Sequence, residues 1–346
     1  MRDITIIDST LRDGSHAIFH QLTKSNVADY AKGAEKAGMP VIIVGHGNGL
    51  GASSLQLGVS LLSDHEMLKT ARAQLKNTKL GAFLIPGFGT IAKDIEPAIA
   101  DGVEVMMVAS HCTEANVTRE HIEYLVARKI KTFGVLMMTH MATAEELLTQ
   151  AKLMESYGVT GVLLMDSAGA YLPSDVVEKV GKLVENLKID VGFHPHNNLG
   201  MGVANALAAV SAGAKIIDGT TRGLGAGAGN CQLEVFIAVC QRMGIETGID
   251  LYKLMDVSEQ TVAKIMISPQ EISSVSLVSG LAGVFSGFAP HAKRNAKIFN
   301  VDVRKVLMEL GKRKIVAGQE DIIVDVAYNL KKQKRKASAD PMEALL

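Results

Sequence analysis

Ile189-Asp190-Val191-Gly192-Phe193 runs directly into His194-Pro195-His196-Asn197-Asn198-Leu199-Gly200, and Met201 to Ala212 follows. The first five residues read as a buried strand and the last twelve as a helix, with a polar turn between them. Such a strand–loop–helix unit is the repeating element of a parallel sheet. The two histidines are two residues apart on extended chain, so both imidazoles point to one side. They can offer two nitrogens to one metal ion. Taken alone, the pair reads more simply as two hydrogen-bonding loop histidines.

The same unit recurs in both directions along the chain. Short Val- and Ile-rich runs lie at Ile4–Ile7, Val41–Val44, Leu80–Leu84, Val103–Val108, Thr132–Met137, Gly161–Met165, Ile189–Phe193 and Lys215–Asp218. Amphipathic segments separate them. Asn26–Ala37 stops at Gly38, a helix-terminating glycine. Thr143-Ala144-Glu145-Glu146 is a capping box that opens a helix to Tyr157, closed by Gly158. Ser174–Leu187 and Cys231–Met243 are two more helices. Eight strands, each followed by a helix, predict an α/β fold, a (β/α)8 TIM barrel, over residues 1–247. An open doubly wound sheet is the rival, but no dinucleotide fingerprint follows the first strand. From residue 248 the alternation stops. Leu251–Met266, Asp302–Leu310 and Ile322–Leu330 read as helices, so residues 248–346 form a helical C-terminal region. The basic run Lys331-Lys332-Gln333-Lys334-Arg335-Lys336 reads as a frayed, flexible tail.

Composition narrows the function classes. Lys and Arg number 36 and Asp and Glu 36, which leaves no electrostatic case for nucleic acid. No apolar run is long enough for a membrane span, and Met1-Arg2-Asp3-Ile4 does not open a signal peptide. Three scattered cysteines (Cys112, Cys231, Cys240) make neither a disulfide framework nor a thiolate metal site. A cytoplasmic protein is expected. The methionines read as core filler.

A barrel puts its chemistry in the loops after the strands. Of the 10 histidines, His16, His20, His46, His111, His140, His194 and His196 fall there, whereas His65 and His121 lie in helices and His291 beyond the barrel. After the first strand the chain reads Asp8-Ser9-Thr10-Leu11-Arg12-Asp13-Gly14-Ser15-His16-Ala17. Asp13 offers a carboxylate to a metal held by His194 and His196, a facial set with open positions for substrate. A salt bridge to Arg12 is the structural alternative for Asp13. A divalent ion beside a guanidinium suits a 2-oxo acid, with the enolate formed at its carbonyl. Mn²⁺ or Mg²⁺ fits oxygen-rich remaining positions, and ligand type alone leaves zinc or iron open. His16 is a candidate acid or base for a nearby hydroxyl. Ser167 can hydrogen-bond a carboxylate or serve a turn. The glycines from Gly223 to Gly229 let backbone N–H groups approach a ligand.

Asp8 to Gly14 and His194 to Gly200 together resemble the metal-dependent aldolase/lyase superfamily that includes 3-hydroxy-3-methylglutaryl-CoA lyase and isopropylmalate synthase. Within it the chain is similar to the 4-hydroxy-2-oxovalerate aldolases. Gly14-Ser15-His16-Ala17, His46 to Leu50, Pro86-Gly87-Phe88-Gly89-Thr90, Gly223 to Asn230 and Gly318-Gln319-Glu320-Asp321 carry that likeness, which runs from Asp8 to about Ala327. The resemblance implies that Asp13, His194 and His196 hold the metal, typically Mn²⁺. It implies that Arg12 stabilises the pyruvate enolate and His16 takes the C4 hydroxyl proton. Arg12, Ser167 and His194 would contact the substrate, a 4-hydroxy-2-oxo acid cleaved to pyruvate and an aldehyde. It further implies a partner, an acylating acetaldehyde dehydrogenase, contacted by the C-terminal region. An acetyl-CoA-dependent Claisen synthase of the isopropylmalate synthase type is the alternative chemistry, and a non-catalytic partner subunit the alternative role. Phe285 stands where the family has a tyrosine near the C4 hydroxyl, Ile43 near an expected glutamate, and Asn48 in place of an aspartate. Stereochemistry at C4 and the aldehyde accepted are what these departures affect.

Overall fold

The computed structural model describes residues 4–316 and 318–339, with side chains described through residue 334. The outermost ends of the two expected segments, residues 1–3 and 340–346, lie outside the described residues. The eight strands are β1 (Thr5–Asp8), β2 (Val41–Ile43), β3 (Lys79–Leu84), β4 (Val105–His111), β5 (Lys131–Met137), β6 (Gly161–Asp166), β7 (Asp190–Pro195) and β8 (Ile216–Gly219). They pair in sequence order, all parallel, and β8 closes on β1 with Thr5 opposite Ile216. The expected barrel is therefore the observed one. Its strand ends fall within a few residues of the sequence reading. β7 runs on to Pro195, so His194 is still held in the ladder, opposite Met165 of β6.

Neighbouring residues of one strand serve two different cores. Ile7, Val41, Ile43, Val105, Met107, Phe133, Val135 and Leu163 fill the barrel interior. Their neighbours Ile6, Ile42, Met106, Leu136 and Val162 turn outward into the layer beneath the helices. Both faces are dry, which is why these strands read as unbroken apolar runs rather than as alternating ones. The outer layer is α1 (Lys24–Ala37), α2 (Asp64–Arg72), α3 (Glu96–Ala100), α4 (Arg119–Ala127), α5 (Ala144–Ser156), α6 (Pro173–Asn186), α7 (Gly202–Ser211) and α8 (Leu233–Met243). The capping box at Thr143 forms as read, with Glu146 N donating to Thr143 Oγ1 and Thr143 N to Glu146 Oε2. Gly38 ends α1 at φ +75°.

Beyond the barrel come α9 (Leu251–Val257) and the short α10 (Ala263–Ile265), joined by a π-helical turn. Leu254, Val257 and Val262 join the barrel's outer core. A separate apolar cluster begins only at Val275 and is built by α11 (Ser274–Ala282), α12 (Ala289–Phe299), α13 (Val303–Lys312) and α14 (Glu320–Ala339). The basic run lies in the last part of α14, which extends to Ala339. Lys, Gln, Arg and Ala are strong helix formers. No helix among the described residues is long and apolar enough to cross a membrane.

Candidate active site

The C-terminal rim of the barrel gathers residues that lie far apart in the chain. After β1 a tight 3-10 turn, Asp13–Ile18, begins immediately behind Arg12. Arg12 and Asp13 are both buried there, joined by a 2.8 Å ion pair from Arg12 Nη1 to Asp13 Oδ2. The salt bridge considered for Asp13 is thus real, and it does not exhaust the carboxylate. Asp13 Oδ2 also lies 3.5 Å from His194 Nε2 and 3.9 Å from His196 Nε2. One ligand atom from each of these three buried residues falls within 4.8 Å of the others. That spacing fits three donors around a single divalent ion.

The three groups are strongly coupled electrostatically. Burial by itself would raise the Asp13 carboxyl, but Arg12, His194 and His196 hold it well below the usual carboxylate range. Burial pushes His194 down, yet Asp218 and Asp13 carry it up to about 9. His196 is depressed to about 4 by burial, with Asp13 opposing. One ionised carboxylate is therefore crowded by a guanidinium and two imidazoles at a place where water is excluded.

Two residues that the sequence reading did not single out complete the cluster. Asp218, at the end of β8, accepts from His194 Nδ1 at 2.7 Å and from Ser9 Oγ at 2.7 Å. A carboxylate on Nδ1 turns the other ring nitrogen, Nε2, towards Asp13, as a metal-binding histidine requires. Asn230, from the loop after β8, places its amide nitrogen 3.0 Å from His194 Nε2, while its Oδ1 is buried without a partner among the described residues. That orphaned oxygen is a further acceptor, or cation ligand atom, at the same point. Gly225 makes room for it, because a Cβ there would lie 2.1 Å from Asn230 Oδ1. Asp218 was missed because it sits inside an apolar strand, and Asn230 because the glycines around it drew the reading.

The guanidinium of Arg12 lies over the Phe83 ring, 4.3 Å from its centroid. Its Nε and Nη2 are buried without a hydrogen-bond partner among the described residues, Nη2 lying 4.0 Å from Asp218 Oδ2. A buried cation with unused donors is suited to an anionic ligand.

Arg12, Asp13 and His196 open into a cavity of about 410 Å³. His16 and Ser167 line it, as do Phe83, Ile85, Phe88, Met137, Met138, Met165 and Phe285. All the expected site residues therefore meet at one face, His194 through its contact with Asp13 and Asn230. Withdrawal from water lowers His16 below the usual imidazole value, with Asp13 opposing and Arg12 assisting. The imidazole is consequently unprotonated at neutral pH, with a lone pair free to accept a proton. His20 and His46 stack beside it at 3.7 Å between centroids. Burial, reinforced by the neighbouring imidazoles, depresses them to about 2 and about 4. Both are therefore unprotonated at neutral pH.

The methionines read as core filler are largely that, Met39, Met67, Met106, Met107 and Met154 being buried in the core, while Met137, Met138 and Met165 also line the cavity. Met138 has left-handed backbone, φ +55° and ψ +38°. For a non-glycine residue this costs about 1–2 kcal/mol, and it occurs where structure elsewhere enforces it. Here Met138 N donates to Ser167 Oγ at 2.9 Å and Cys112 Sγ donates to Met138 O at 3.4 Å. Ser167 thus accepts from the protein and keeps its own hydroxyl hydrogen for a ligand. Gly318 and Glu320 reach the cavity from the C-terminal region, and Glu320 Oε2 accepts from Gln56 Nε2 at 2.9 Å.

Comparison with known proteins agrees with this geometry. Residues 3–261 match the HMGL-like family, and residues 270–332 match a DmpG-like communication domain. A protein of Spirochaeta aurantia named 4-hydroxy-2-oxovalerate aldolase is 52% identical, over 95% of this chain and 96% of its own. Its namesake from Pectobacterium atrosepticum is also 52% identical, over 96% and 97%. The chain belongs to the 4-hydroxy-2-oxovalerate aldolase family. Among solved structures, the carboxyl transferase domain from Rhizobium etli pyruvate carboxylase superposes with a TM-score of 0.81 at 15% identity, covering 96% of this chain and 61% of that one. That likeness concerns the fold. The three positions read from the sequence as departures from the family, Phe285, Ile43 and Asn48, lie outside the Asp13, His194 and His196 group. Ile43 fills the barrel interior, whereas Asn48 and Phe285 line the cavity.

Proposed function

We propose that the protein is a carbon–carbon lyase that cleaves 4-hydroxy-2-oxopentanoate, or a related 4-hydroxy-2-oxo acid, to pyruvate and an aldehyde. The observation that carries this reading is the buried Asp13–His194–His196 group beside Arg12, opening on a cavity that also holds a neutral His16. The match to the aldolase family favours it over the CoA-dependent synthase.

Asp13, His194 and His196 would hold a divalent cation, Mn²⁺ by our reading. Its chemistry is that of a Lewis acid for the 2-oxo acid's carbonyl. Arg12 turns its unused N–H groups to the oxygen on which negative charge gathers. Ser167 donates its hydroxyl hydrogen to the pyruvate end of the substrate, next to His194. His16 takes the proton from the C4 hydroxyl. The C3–C4 bond then breaks, its electron pair passes to the enolate of pyruvate, and C4 becomes the aldehyde carbonyl. A proton returned to C3 completes pyruvate.

The C-terminal region contacts a partner, an acylating acetaldehyde dehydrogenase that consumes the aldehyde; the match to a communication domain supports this. Residues 1–247 carry the chemistry and residues 248–346 the partner contact. A cytoplasmic location suits three free, buried cysteines.

The test is pyruvate release from racemic 4-hydroxy-2-oxopentanoate by protein stripped of metal and then given Mn²⁺. Release that depends on the added ion is expected. No release with any divalent ion, with or without the dehydrogenase, would overturn the reading.

A further inference from the structure

Phe285 reaches the cavity on the short connection between α11 and α12, in the C-terminal region. The chain is fastened to the barrel on both sides of it. On one side His140, in the turn after β5, donates Nε2–H to Gly283 O at 2.8 Å. On the other, Ser286 donates twice to Ser167 O, from its amide at 3.0 Å and from Oγ at 2.9 Å. Asn198, from the loop after β7, completes the joint. Its Nδ2 donates to Ala168 O at 2.8 Å and to Ser286 Oγ at 2.9 Å, and its Oδ1 accepts from Ala228 N at 2.9 Å. Ser167, Asn198 and Ser286 are all buried.

This joint unites the loops after β6, β7 and β8 with the C-terminal region. Both polar atoms of the Asn198 amide are used, and the Ser286 hydroxyl both donates and accepts. A buried polar network satisfied to this degree fixes geometry, because any displacement strands a donor away from water. Its geometric consequence falls on two cavity residues. The peptide carrying Ser167 is held by its carbonyl while the Ser167 hydroxyl accepts from Met138 N at 2.9 Å. Phe285, next to Ser286, is seated against the backbone of Gly287, where a Cβ would lie 2.6 Å from its ring, with Phe288 edge-on at 5.4 Å.

We propose that Ser286 and Asn198 are positioning residues, through which the C-terminal region sets the Ser167 hydroxyl and the Phe285 ring as one unit. This rests on the aldolase reading, in which Ser167 meets the oxo-acid end of the substrate. Whatever shifts the connection between α11 and α12 then alters both ends of the cavity together.

The experiment uses the full-length protein with Mn²⁺ and follows exchange of the C3 protons of pyruvate in deuterated water, which reports on the oxo-acid end alone. Ser286→Ala should raise the pyruvate KM on the order of five- to thirty-fold, with the maximal exchange rate within about twofold. Ser286→Ala combined with Ser167→Ala should be no worse than Ser167→Ala alone, since the first acts through the second. Asn198→Asp, which removes both Nδ2 donors and keeps Oδ1, should reproduce the KM effect. Mn²⁺ affinity by calorimetry should not change in Ser286→Ala. Amide hydrogen exchange in the same variant should lose protection at Met138 as well as at Ser286. An unchanged KM in both single variants, a double variant in which the two effects multiply, or a Met138 amide that stays protected would overturn the proposal. A wild-type protein without Mn²⁺-dependent exchange would instead sink the aldolase reading, and the Met138 amide would still report on the joint.

Discussion

On one side of the cavity the loop after β1 and the C-terminal ends of β7 and β8 gather Arg12, Asp13, His194, His196 and Asp218, an assembly of charged groups linked pairwise at ion-pair distance. Beside them the turns after β5 and β6 and the connection between α11 and α12 present Met138, Ser167 and Phe285, held chiefly by hydrogen bonds involving backbone. The charged side is organised by mutual attraction where water is excluded, so removing one member leaves the others uncompensated. The apolar side is organised by where the chain is fastened, so it tolerates side-chain change as long as the fastening holds. Chemistry should therefore fail abruptly on the first side, and selectivity should drift on the second.

The most severe break should come from His194→Ala. Metal binding should be lost and cleavage should fall by at least about 10³-fold. The thermal transition should stay cooperative, because barrel packing lies below the rim; calorimetry with Mn²⁺ and a melting curve check both parts. Global unfolding would show instead that the charged side holds the barrel together.

His16→Gln should slow C–C cleavage by about 10²- to 10⁴-fold while metal affinity and pyruvate C3 exchange persist. The sign of the pH dependence follows from the depressed imidazole. The base is active when unprotonated, so the acid limb of kcat/KM should lie below the ordinary pH of about 6.5. That limb should vanish from the His16→Gln profile. A limb above that value would assign it to another group.

Asp218→Asn sharpens the comparison from behind the ligands. It keeps the shape but loses the carboxylate that orients His194 Nδ1. Mn²⁺ affinity should fall about 10- to 100-fold, measured by titration rather than turnover. An unchanged affinity would mean that Asn230 and Asp13 suffice to hold the ring.

The smallest effect is expected on the apolar side. Phe285→Tyr should restore one hydrogen bond to the substrate, about 0.5–1.5 kcal/mol, and discriminate between C4 enantiomers by a corresponding factor. With racemic substrate, the wild type should consume both forms at similar rates and Phe285→Tyr should consume one about 2- to 13-fold faster than the other. Equal consumption by both proteins would place the C4 hydroxyl away from residue 285.

What the sequence determined by itself follows from local rules. Strand periodicity, the cap at Thr143 and the glycine at Gly38 are written within a few residues of where they act, and eight such units leave a closed barrel as the economical solution. Because a barrel directs the ends of all its strands to one rim, Arg12, Asp13, His16, Ser167, His194 and His196 could be assigned to a common face from chain position alone. The parts of the site that escaped the reading depend on side chains meeting across the fold. Asp218 sits in an apolar strand, and its role appears only when β8 closes beside β1 and β7, bringing it to Ser9 and His194. Met138 adopts left-handed backbone with no glycine to announce it, because Ser167 and Cys112 hold its amide and its carbonyl. Ser286 lies 119 residues from Ser167 in the chain, and only the packed C-terminal region brings the two into contact. Periodicity and capping act over one turn or one strand, whereas these contacts depend on how distant segments pack, which no local pattern encodes.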